Sequence, residues 1–350
     1  NTMQNPLQWR PGFVHKRHSD MRLAKWGASR RLVTADNWDS FVPWAQQQLR
    51  HRPWYALDIE TSTPPESDDW LLAQGDENGV DVIGSKLTGL SLTFGANMQM
   101  TVYISVDHKD TKNVSKEQVG QFLASISQIP VIHNTFFEGP VLFNEFGESW
   151  KDNGWEGFLP NWRDTKLEAS YVDENDKLGL KRLSKKWLDY DQVEYSAVTT
   201  FEFEPELLNE GEVSQRGGKV LGLFNKELTP EVQVLSVDSE GQQCLTIAAK
   251  ATYKSVERRQ FKMNELTAEH VFDYACDDTA TTSGLHNFFK LFMSLEGTWA
   301  VYEEVELAAS YLHAQSFVHG VSISLPKLQE LVKEDDESFN TAKAVVDGFL

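Results

Sequence analysis

Cysteine is nearly absent from this sequence, which has only Cys244 and Cys276 among its 350 residues. They lie far apart and no metal-ligand spacing accompanies them, so neither a disulfide framework nor a zinc site is indicated. Long apolar runs and a signal-peptide pattern are absent as well, so nothing in the sequence predicts a membrane span. These absences favour a soluble protein of a reducing, cytoplasmic compartment.

Positive charge is also in short supply. The 52 acidic residues outnumber the 33 basic ones and give a formal net charge of −19. This balance argues against a protein that coats duplex DNA through a broad basic surface, although it leaves open a nucleic acid held at a metal-filled cleft. The length of the chain predicts one large domain with appendages, or two domains.

The most distinctive stretch is Trp54–Thr61, an apolar strand pattern that contains two acids. Side chains alternate between the two faces of a strand, so Asp58 and Glu60 project the same way with Cα atoms about 6.5 Å apart. A divalent cation between them would turn their repulsion into attraction. The alternative is a strand end that reaches solvent, where an acidic pair costs little, and this stretch alone does not decide between the two.

The chain around this stretch alternates strands and helices. Two further strands, 87–94 and 101–106, with Gly95–Asn97 as their connection, predict an antiparallel meander with the acidic strand. An amphipathic helix over 115–127 and a short buried strand over 130–132 follow. This order predicts an α/β fold with a mixed central sheet.

Beyond the short strand, helices dominate with one exception. Helices are predicted from Asp164 and around Leu180, whereas 189–262 consists of short strand-like runs broken by glycine and proline, which indicates a β-rich insertion. A helix resumes after the insertion and places Tyr274 and Asp278, four residues apart, on one face.

The two ends of the chain give weaker patterns. Residues 1–50 show little periodicity before Trp38 and are predicted to form an extension on the outside of the domain. Near the other end, Gly320 is placed to end a further amphipathic helix. The apolar stripe of that helix is Val301, Val305, Ala308, Ala309 and Leu312.

Three acidic motifs resemble those of the DEDDy proofreading exonucleases, specifically the 3′-5′ exonuclease domain of family A DNA polymerases. The motifs are Asp58-Ile59-Glu60-Thr61, Asn134-Thr135-Phe136-Phe137-Glu138 and Tyr274-Ala275-Cys276-Asp277-Asp278. Asp164–Leu167 and Leu180–Leu183 are similar to the helices that the family places between its second and third motifs. Glu306–Ala309 and Gly320–Ile323 are similar to the segment that opens the polymerase domain.

The resemblance implies a ribonuclease H-like exonuclease fold, a mixed central sheet flanked by helices, with the β-rich insertion at 189–262. It further implies an N-terminal extension over 1–50, a 3′-5′ exonuclease domain over 51–295 and the first polymerase helices over 296–350. The polymerase palm and fingers would then lie beyond Leu350. The cytoplasm would be that of a bacterium or of a phage-infected host.

The resemblance also implies a role for each acid around two Mg²⁺ or Mn²⁺ ions. Asp58 would bridge both ions, Glu60 and Asp278 would complete the site of the ion that activates water, and Glu138 would serve the other. The family ends its second motif in Asp, so Glu138, one methylene longer, is a departure that leaves the geometry of the second ion open. Tyr274 would orient the water, because a phenol with an ordinary pKa of about 10 is a poor base at neutral pH.

Substrate contacts implied by the resemblance involve Thr61, Asn134 and Phe137, the last by stacking on the terminal nucleotide. Structural alternatives stand beside them, because Asn134 could cap the following helix and Phe137 could belong to the core. The basic residues near Leu180, which either contact phosphates or form a solvated helix face, are Lys181, Arg182, Lys185 and Lys186.

The leading hypothesis from the sequence is a metal-dependent 3′-5′ exonuclease that proofreads single-stranded or frayed DNA ends as part of a family A polymerase. One alternative is a free-standing DEDDy nuclease that trims RNA 3′ ends. Another is a degenerate exonuclease fold kept as a DNA-binding scaffold, for which Glu138 is the only supporting feature.

Overall fold

The fold is built on a six-stranded mixed sheet. A computed structural model describes residues 30–66, 81–95, 100–150, 161–203, 218–227, 234–237, 243–246, 253–320 and 324–347. The main strands are β1 (Arg30–Val33), β2 (Trp54–Ser62), β3 (Lys86–Thr93), β4 (Thr101–Ser105), β5 (Ile129–Ile132) and β6 (Arg163–Asp164). Their order across the sheet is β1-β4-β3-β2-β5-β6. β2, β3 and β4 form the predicted antiparallel meander, whereas β5, β6 and β1 pair in parallel with β2, β5 and β4.

Helices flank this sheet. They are α1 (Trp38–Leu49), α2 (Lys116–Ala124), α3 (Thr135–Trp150), α4 (Thr165–Val172), α5 (Leu180–Leu188), α6 (Tyr195–Thr199), α7 (Ala268–Glu296), α8 (Leu307–His319) and α9 (Leu325–Asp347). Helix α7 is 29 residues long and packs across β2, β3 and β4, while α2 and α3 pack on each other. The predicted α/β class with a mixed central sheet is therefore confirmed. Within the described ranges, no helix is both long and apolar enough to cross a membrane.

Local sequence signals explain where the helices around the site begin. Helix α2 starts with a capping box. The Ser115 side chain accepts from the backbone N–H of Gln118, and the Gln118 side chain accepts from the backbone N–H of Ser115. Asp164 caps α4, and the Thr267 side chain accepts from the backbone N–H of His270 at the start of α7. These starts lie where the sequence predicts them.

The insertion is rich in strands, as predicted. Its strands are β7 (Thr200–Phe203), β8 (Lys219–Glu227), β9 (Val234–Val237), β10 (Gln243–Thr246) and β11 (Tyr253–Gln260). β11 pairs antiparallel with β7 and with β8, and β9 pairs antiparallel with β10. The insertion contacts the body where Lys262 Nζ donates to the carbonyl of Thr63, directly after β2, at 2.6 Å.

The segment 30–49 is part of the body rather than an outer extension. β1 forms the edge of the main sheet, and α1 buries Trp38 and Phe41 in the core. The Arg30 side chain, at the start of β1, forms salt bridges with Asp273 and Asp277 of α7. Four residues with one fully buried side chain carry no periodicity, so no sequence pattern predicts β1. The domain boundary at residue 50 stays a prediction.

The predicted apolar stripe near the C-terminal end is wrong about which face is buried. Val301, Val305 and Leu312 are 50–63% exposed, whereas Tyr302 and Ala314 are buried. One π-helical turn, Tyr302–Glu306, precedes α8 and shifts the register of the face that meets the body. A polar side chain is central to this contact, because the Tyr302 hydroxyl accepts from the backbone N–H of Asp164 at 2.7 Å. Residues 299–314 therefore pack into the body of the domain, and the boundary at 295 stays a prediction.

Two predicted features lie mostly outside the described residues. They are the connection Gly95–Asn97, apart from Gly95, and the motif Gly320–Ile323, apart from Gly320.

Candidate active site

Strand β2 delivers two acids to the same face of the sheet. Asp58 pairs with Ser91 of β3 and Glu60 pairs with Gly89, and the register shifts directly after Glu60. Ile59 lies between the two acids and points the other way, into the core. Asp58 is half-buried and Glu60 is buried. Strand alternation thus places the two carboxylates side by side, as the sequence predicts.

The strand next to Glu60 requires glycine at position 89. A Cβ on Gly89 would lie 2.1 Å from the hydroxyl oxygen of Tyr103, which is fully buried. His108 Nδ1 faces the carbonyl of Leu266 at 3.0 Å and must donate to it, so His108 Nε2 accepts from the Tyr103 hydroxyl at 2.6 Å. The Tyr103–His108 pair therefore packs against Gly89 of β3, the strand that pairs with β2 and its two acids.

Helix α7 brings the third acid. Asp278 is buried about three turns into the helix, after Ala275 and Cys276, which pack in a second apolar cluster. One ligand oxygen from each of Asp58, Glu60 and Asp278 lies within 4.8 Å of the others. Three carboxylates at this separation can hold a divalent cation, which prefers oxygen ligands.

Glu138 joins this group through Asp58. It lies in the first turn of α3, is 3% exposed, and one oxygen of its carboxyl group interacts with the carboxyl group of Asp58. The other oxygen of Glu138, Oε2, is buried and has no hydrogen-bond partner. A buried acceptor without a donor is costly, and a cation next to Asp58 would satisfy it. Glu138 therefore fits a second metal position, although it lies outside the cluster of three.

The acids titrate abnormally because they are buried together. Burial raises the pKa of Asp58, Glu60 and Glu138 well above the ordinary carboxyl range, and it raises the pKa of Asp278 to about 7. Charge on neighbouring acids raises the pKa of Asp58 and Glu60 further, while the Lys181 ammonium opposes the shift. A divalent cation would offset both burial and repulsion, so these residues fit a metal ion.

Asp164 holds the second motif in place. Its buried carboxylate accepts from the backbone N–H of Asn134 at 3.0 Å, from the backbone N–H of Thr135 at 2.7 Å and from the Thr135 hydroxyl at 2.6 Å. Asn134 has a φ of +79°, and its side-chain oxygen accepts from Lys166 Nζ at 3.0 Å. Lys166, rather than a backbone N–H in the first turn of α3, is thus the partner of the Asn134 side-chain oxygen.

The other two predicted substrate contacts lie beside the acids in the chain. Thr61 follows Glu60 directly and is half-buried. Phe137 precedes Glu138 and is also half-buried, with part of its ring packed on the main core. Both side chains retain an exposed portion, and a contact with substrate stays a prediction for each.

Tyr274 lies one helical turn before Asp278. Burial raises the pKa of its phenol far above 10, so the hydroxyl stays protonated at neutral pH. The charge of the nearby Asp278 carboxylate acts in the same direction on the pKa of this hydroxyl. Its oxygen also accepts from Lys181 Nζ at 3.4 Å. Tyr274 is therefore suited to orient a water molecule and unsuited to act as a base.

Sequence reasoning missed the segment that covers this site. Gln192 Nε2 donates to Asp278 Oδ1 at 2.6 Å, and the Tyr190 hydroxyl donates to Asp277 Oδ2 at 2.9 Å. The ring of Tyr195 lies edge-on to Tyr274 with 6.5 Å between centroids. No periodicity or motif marks residues 190–195, and only their position just after α5 hints at a role.

Comparison with known proteins gives low similarity. No family model and no curated protein sequence matches this chain. Among solved structures, Brucella melitensis NrnC is 14% identical with a TM-score of 0.43, covering 84% of this chain and 95% of that one. Escherichia coli RNase D, an exoribonuclease involved in structured RNA processing, is 11% identical with a TM-score of 0.42, covering 83% of this chain and 51% of that one. At this level of similarity the activity has to be judged from the residues of the site.

Proposed function

We propose that this chain is a metal-dependent 3′-5′ exonuclease that hydrolyses the terminal phosphodiester at the 3′ end of a nucleic acid. The observation that supports the proposal is the convergence of Asp58, Glu60 and Asp278, whose ligand oxygens lie within 4.8 Å of one another. The fourth acid, Glu138, interacts with the carboxyl group of Asp58. The fold alone gives no reason to bury four carboxylates together. Their mutual repulsion destabilises the protein unless cations bind between them.

Each residue has a defined task in this reaction. Bound divalent ions supply a nucleophilic hydroxide, neutralise the phosphate and stabilise the departing 3′ oxygen. Asp58 shares the cluster with Glu60 and Asp278 and also interacts with Glu138, so it would be the residue that contacts both ions. The Tyr274 hydroxyl is placed to hold the attacking water in line with the phosphorus.

The nature of the polymer is a finer proposal. Glu306–Ala309 and Gly320–Ile323 support the DNA hypothesis, because they resemble the opening of a family A polymerase domain. In that case selectivity arises from fraying, since a mismatched end unpairs more readily and reaches the site more often. RNA is the second candidate, supported by the packing of residues 299–314 into the nuclease body itself rather than into a separate domain.

The decisive experiment offers both polymers to the same protein. Single-stranded DNA and RNA of identical sequence, labelled at the 5′ end, are incubated with Mg²⁺ or Mn²⁺ and with EDTA. The proposal requires stepwise shortening from the 3′ end, loss of activity in EDTA and in Asp58→Ala, and normal activity in Asp39→Ala, a change at an exposed acid of α1. The rate on RNA relative to DNA distinguishes the two polymers, which differ at the 2′-hydroxyl.

Binding without cleavage is the result that would contradict the proposal. If wild-type protein and Asp58→Ala bind single strands equally well and neither releases nucleotides, the chain is a nucleic-acid-binding scaffold with a degenerate nuclease fold.

A further inference from the structure

One of the four basic residues on α5 differs from its neighbours. Arg182 and Lys185 have side chains 59% and 69% exposed; Arg182 pairs with Asp176, and Lys185 pairs with the exposed Asp191. The Lys181 side chain is only 25% exposed and turns toward α7. Helix α5 therefore offers a solvated basic face, as the sequence allows, together with a single ammonium directed at the candidate active site.

The Lys181 ammonium has three well-defined partners. Nζ lies 2.8 Å from the carbonyl oxygen of Val193, 3.4 Å from the hydroxyl oxygen of Tyr274 and 3.7 Å from Glu194 Oε2. It also lies 4.7 Å from the centroid of the Tyr274 ring, within the range of a cation–π contact. An ammonium has three hydrogens and no lone pair, so every partner must accept.

This requirement fixes the direction of the Tyr274 hydroxyl. A phenol has one hydrogen and two lone pairs. One lone pair accepts from Lys181, so the hydrogen is left for another acceptor, and Asp278 lies one helical turn further along α7. The second lone pair then remains for a hydrogen of a water molecule beside Asp278.

We propose that Lys181 is a positioning residue of the nuclease site, which acts through Tyr274 and sets the orientation in which the tyrosine receives the attacking water. This inference rests on the proposed function and adds a residue to it. The competing interpretation is a direct contact between Lys181 and a phosphate of the substrate. That interpretation is supported by a surface cavity of about 470 Å³ at this position. The cavity is lined by Lys181, Arg182, Lys185, Lys186, Asp191, Gln192 and Glu194.

A double-mutant cycle separates the two interpretations. Lys181→Met, Tyr274→Phe and the double variant are compared in kcat and KM on a single-stranded oligonucleotide. If Lys181 acts through Tyr274, Lys181→Met lowers kcat about tenfold, as expected for one charge-assisted hydrogen bond, with KM nearly unchanged. In the Tyr274→Phe background the same change has almost no further effect. Lys181→Arg, which keeps a donor, recovers part of the rate, and Lys327→Met, a change at an exposed lysine of α9 outside the lining of that cavity, behaves as wild type.

A second measurement reports the contact without catalysis. In protein labelled with ¹³C at the tyrosine Cζ, the signal that disappears in Tyr274→Phe belongs to Tyr274. Its position is expected to move in Lys181→Met and to stay in Lys185→Met, because only Lys181 bonds the phenol. Melting temperatures show whether each variant is folded. If Lys181→Met is not folded, Lys181→Arg is compared with the wild-type protein in its place.

Specific results overturn the proposal. An increase in KM that is equal with and without the Tyr274 hydroxyl assigns Lys181 to the substrate phosphate instead. An unmoved Tyr274 signal rules out the contact itself. A wild-type protein that releases no nucleotide defeats the proposed function, and with it the catalytic role of Lys181, even where the signal of Tyr274 moves.

Discussion

Gln192 donates a hydrogen bond of 2.6 Å from Nε2 to Oδ1 of Asp278. The amide thereby fixes the rotation of the carboxylate and leaves Oδ2 for a cation. Gln192→Leu is expected to lower kcat about tenfold, the usual cost of losing a residue that orients a metal ligand. Gln192→Glu should cost more, since it adds a repelling carboxylate. Steady-state rates at several Mn²⁺ concentrations test this, with the exposed neighbour Asp191→Asn as the control.

The metal-free protein is expected to lose stability as the pH rises. In the folded protein the pKa of Asp278 is about 7. An unfolded Asp has a pKa of about 4, so between these values the folded state holds more protons and the free energy of unfolding falls as the pH increases. Above about pH 7 both states are ionised and the loss is complete.

Thermal melts in EDTA at mildly acidic and mildly alkaline pH test this expectation, and the alkaline sample should melt lower. Saturating Mg²⁺ is expected to reverse the difference, because the cation binds the ionised acids. Asp278→Asn should flatten the pH dependence. A metal-free protein that melts higher at alkaline pH would contradict the raised pKa values.

The extra methylene of Glu138 is open to direct test. Glu138→Gln is expected to lower the rate about 100-fold, since it removes a charge next to Asp58. Glu138→Asp restores the family pattern and should keep the rate within about tenfold of wild type. Both are measured over a range of Mn²⁺ concentrations. Gln121→Ala, a change at an exposed residue of α2, supplies the reference rate, and a Glu138→Gln rate equal to it would remove Glu138 from the site.

Asp164 is expected to be essential for stability although it touches no metal. Asp164→Ala leaves the backbone N–H groups of Asn134 and Thr135 without their acceptor, which should lower the free energy of unfolding by about 3 kcal/mol. Urea denaturation measures the change, with Asp39→Ala for comparison. Activity should fall as well, because Asn134 leads directly into the helix of Glu138. A loss of activity without a loss of stability would instead give Asp164 a chemical role.

Residues 299–314 are expected to be indispensable to the fold. Tyr302 is fully buried, and its hydroxyl bonds the Asp164 backbone and the Glu168 carboxylate. A protein ending at residue 295 should therefore unfold at a much lower temperature than the full chain. A protein ending at residue 324 lacks only α9 and the last three residues, and the α9 side chains that the structure describes are exposed, so it should melt nearly as the full chain does. Equal melting of the shorter protein would support the predicted boundary at 295.

Short-range patterns in the sequence predict most of the elements that form the site. Strand alternation places Asp58 and Glu60 together, and helical periodicity places Tyr274 above Asp278, because both depend only on local geometry. The association of Glu138 with these acids depends on pairing between distant strands. Only the resemblance to a known family anticipates that association, since no local rule connects β5 with β2.

Other features were beyond sequence reasoning for identifiable reasons. Gln192 lies in a segment without periodicity, and its role depends on a contact across 86 positions. The helical pattern at Val301 and Val305 is correct, but the face that it predicts to be buried is exposed. One π-helical turn and the buried hydroxyl of Tyr302 decide which side of the helix contacts the body. In both cases a hydrogen bond between distant parts of the chain, rather than a local pattern of hydrophobic residues, decides where the side chain lies.

The Arg30 guanidinium, at the start of the edge strand β1, forms salt bridges with α7, the helix that carries Asp278. Its partners are Asp273, which immediately precedes Tyr274, and Asp277, which immediately precedes Asp278. An edge strand is the part of a sheet most readily peeled away. Proteolytic trimming or a misplaced purification tag at this edge would therefore disturb the position of Tyr274 and Asp278 from a distance, while every acid of the site remained intact.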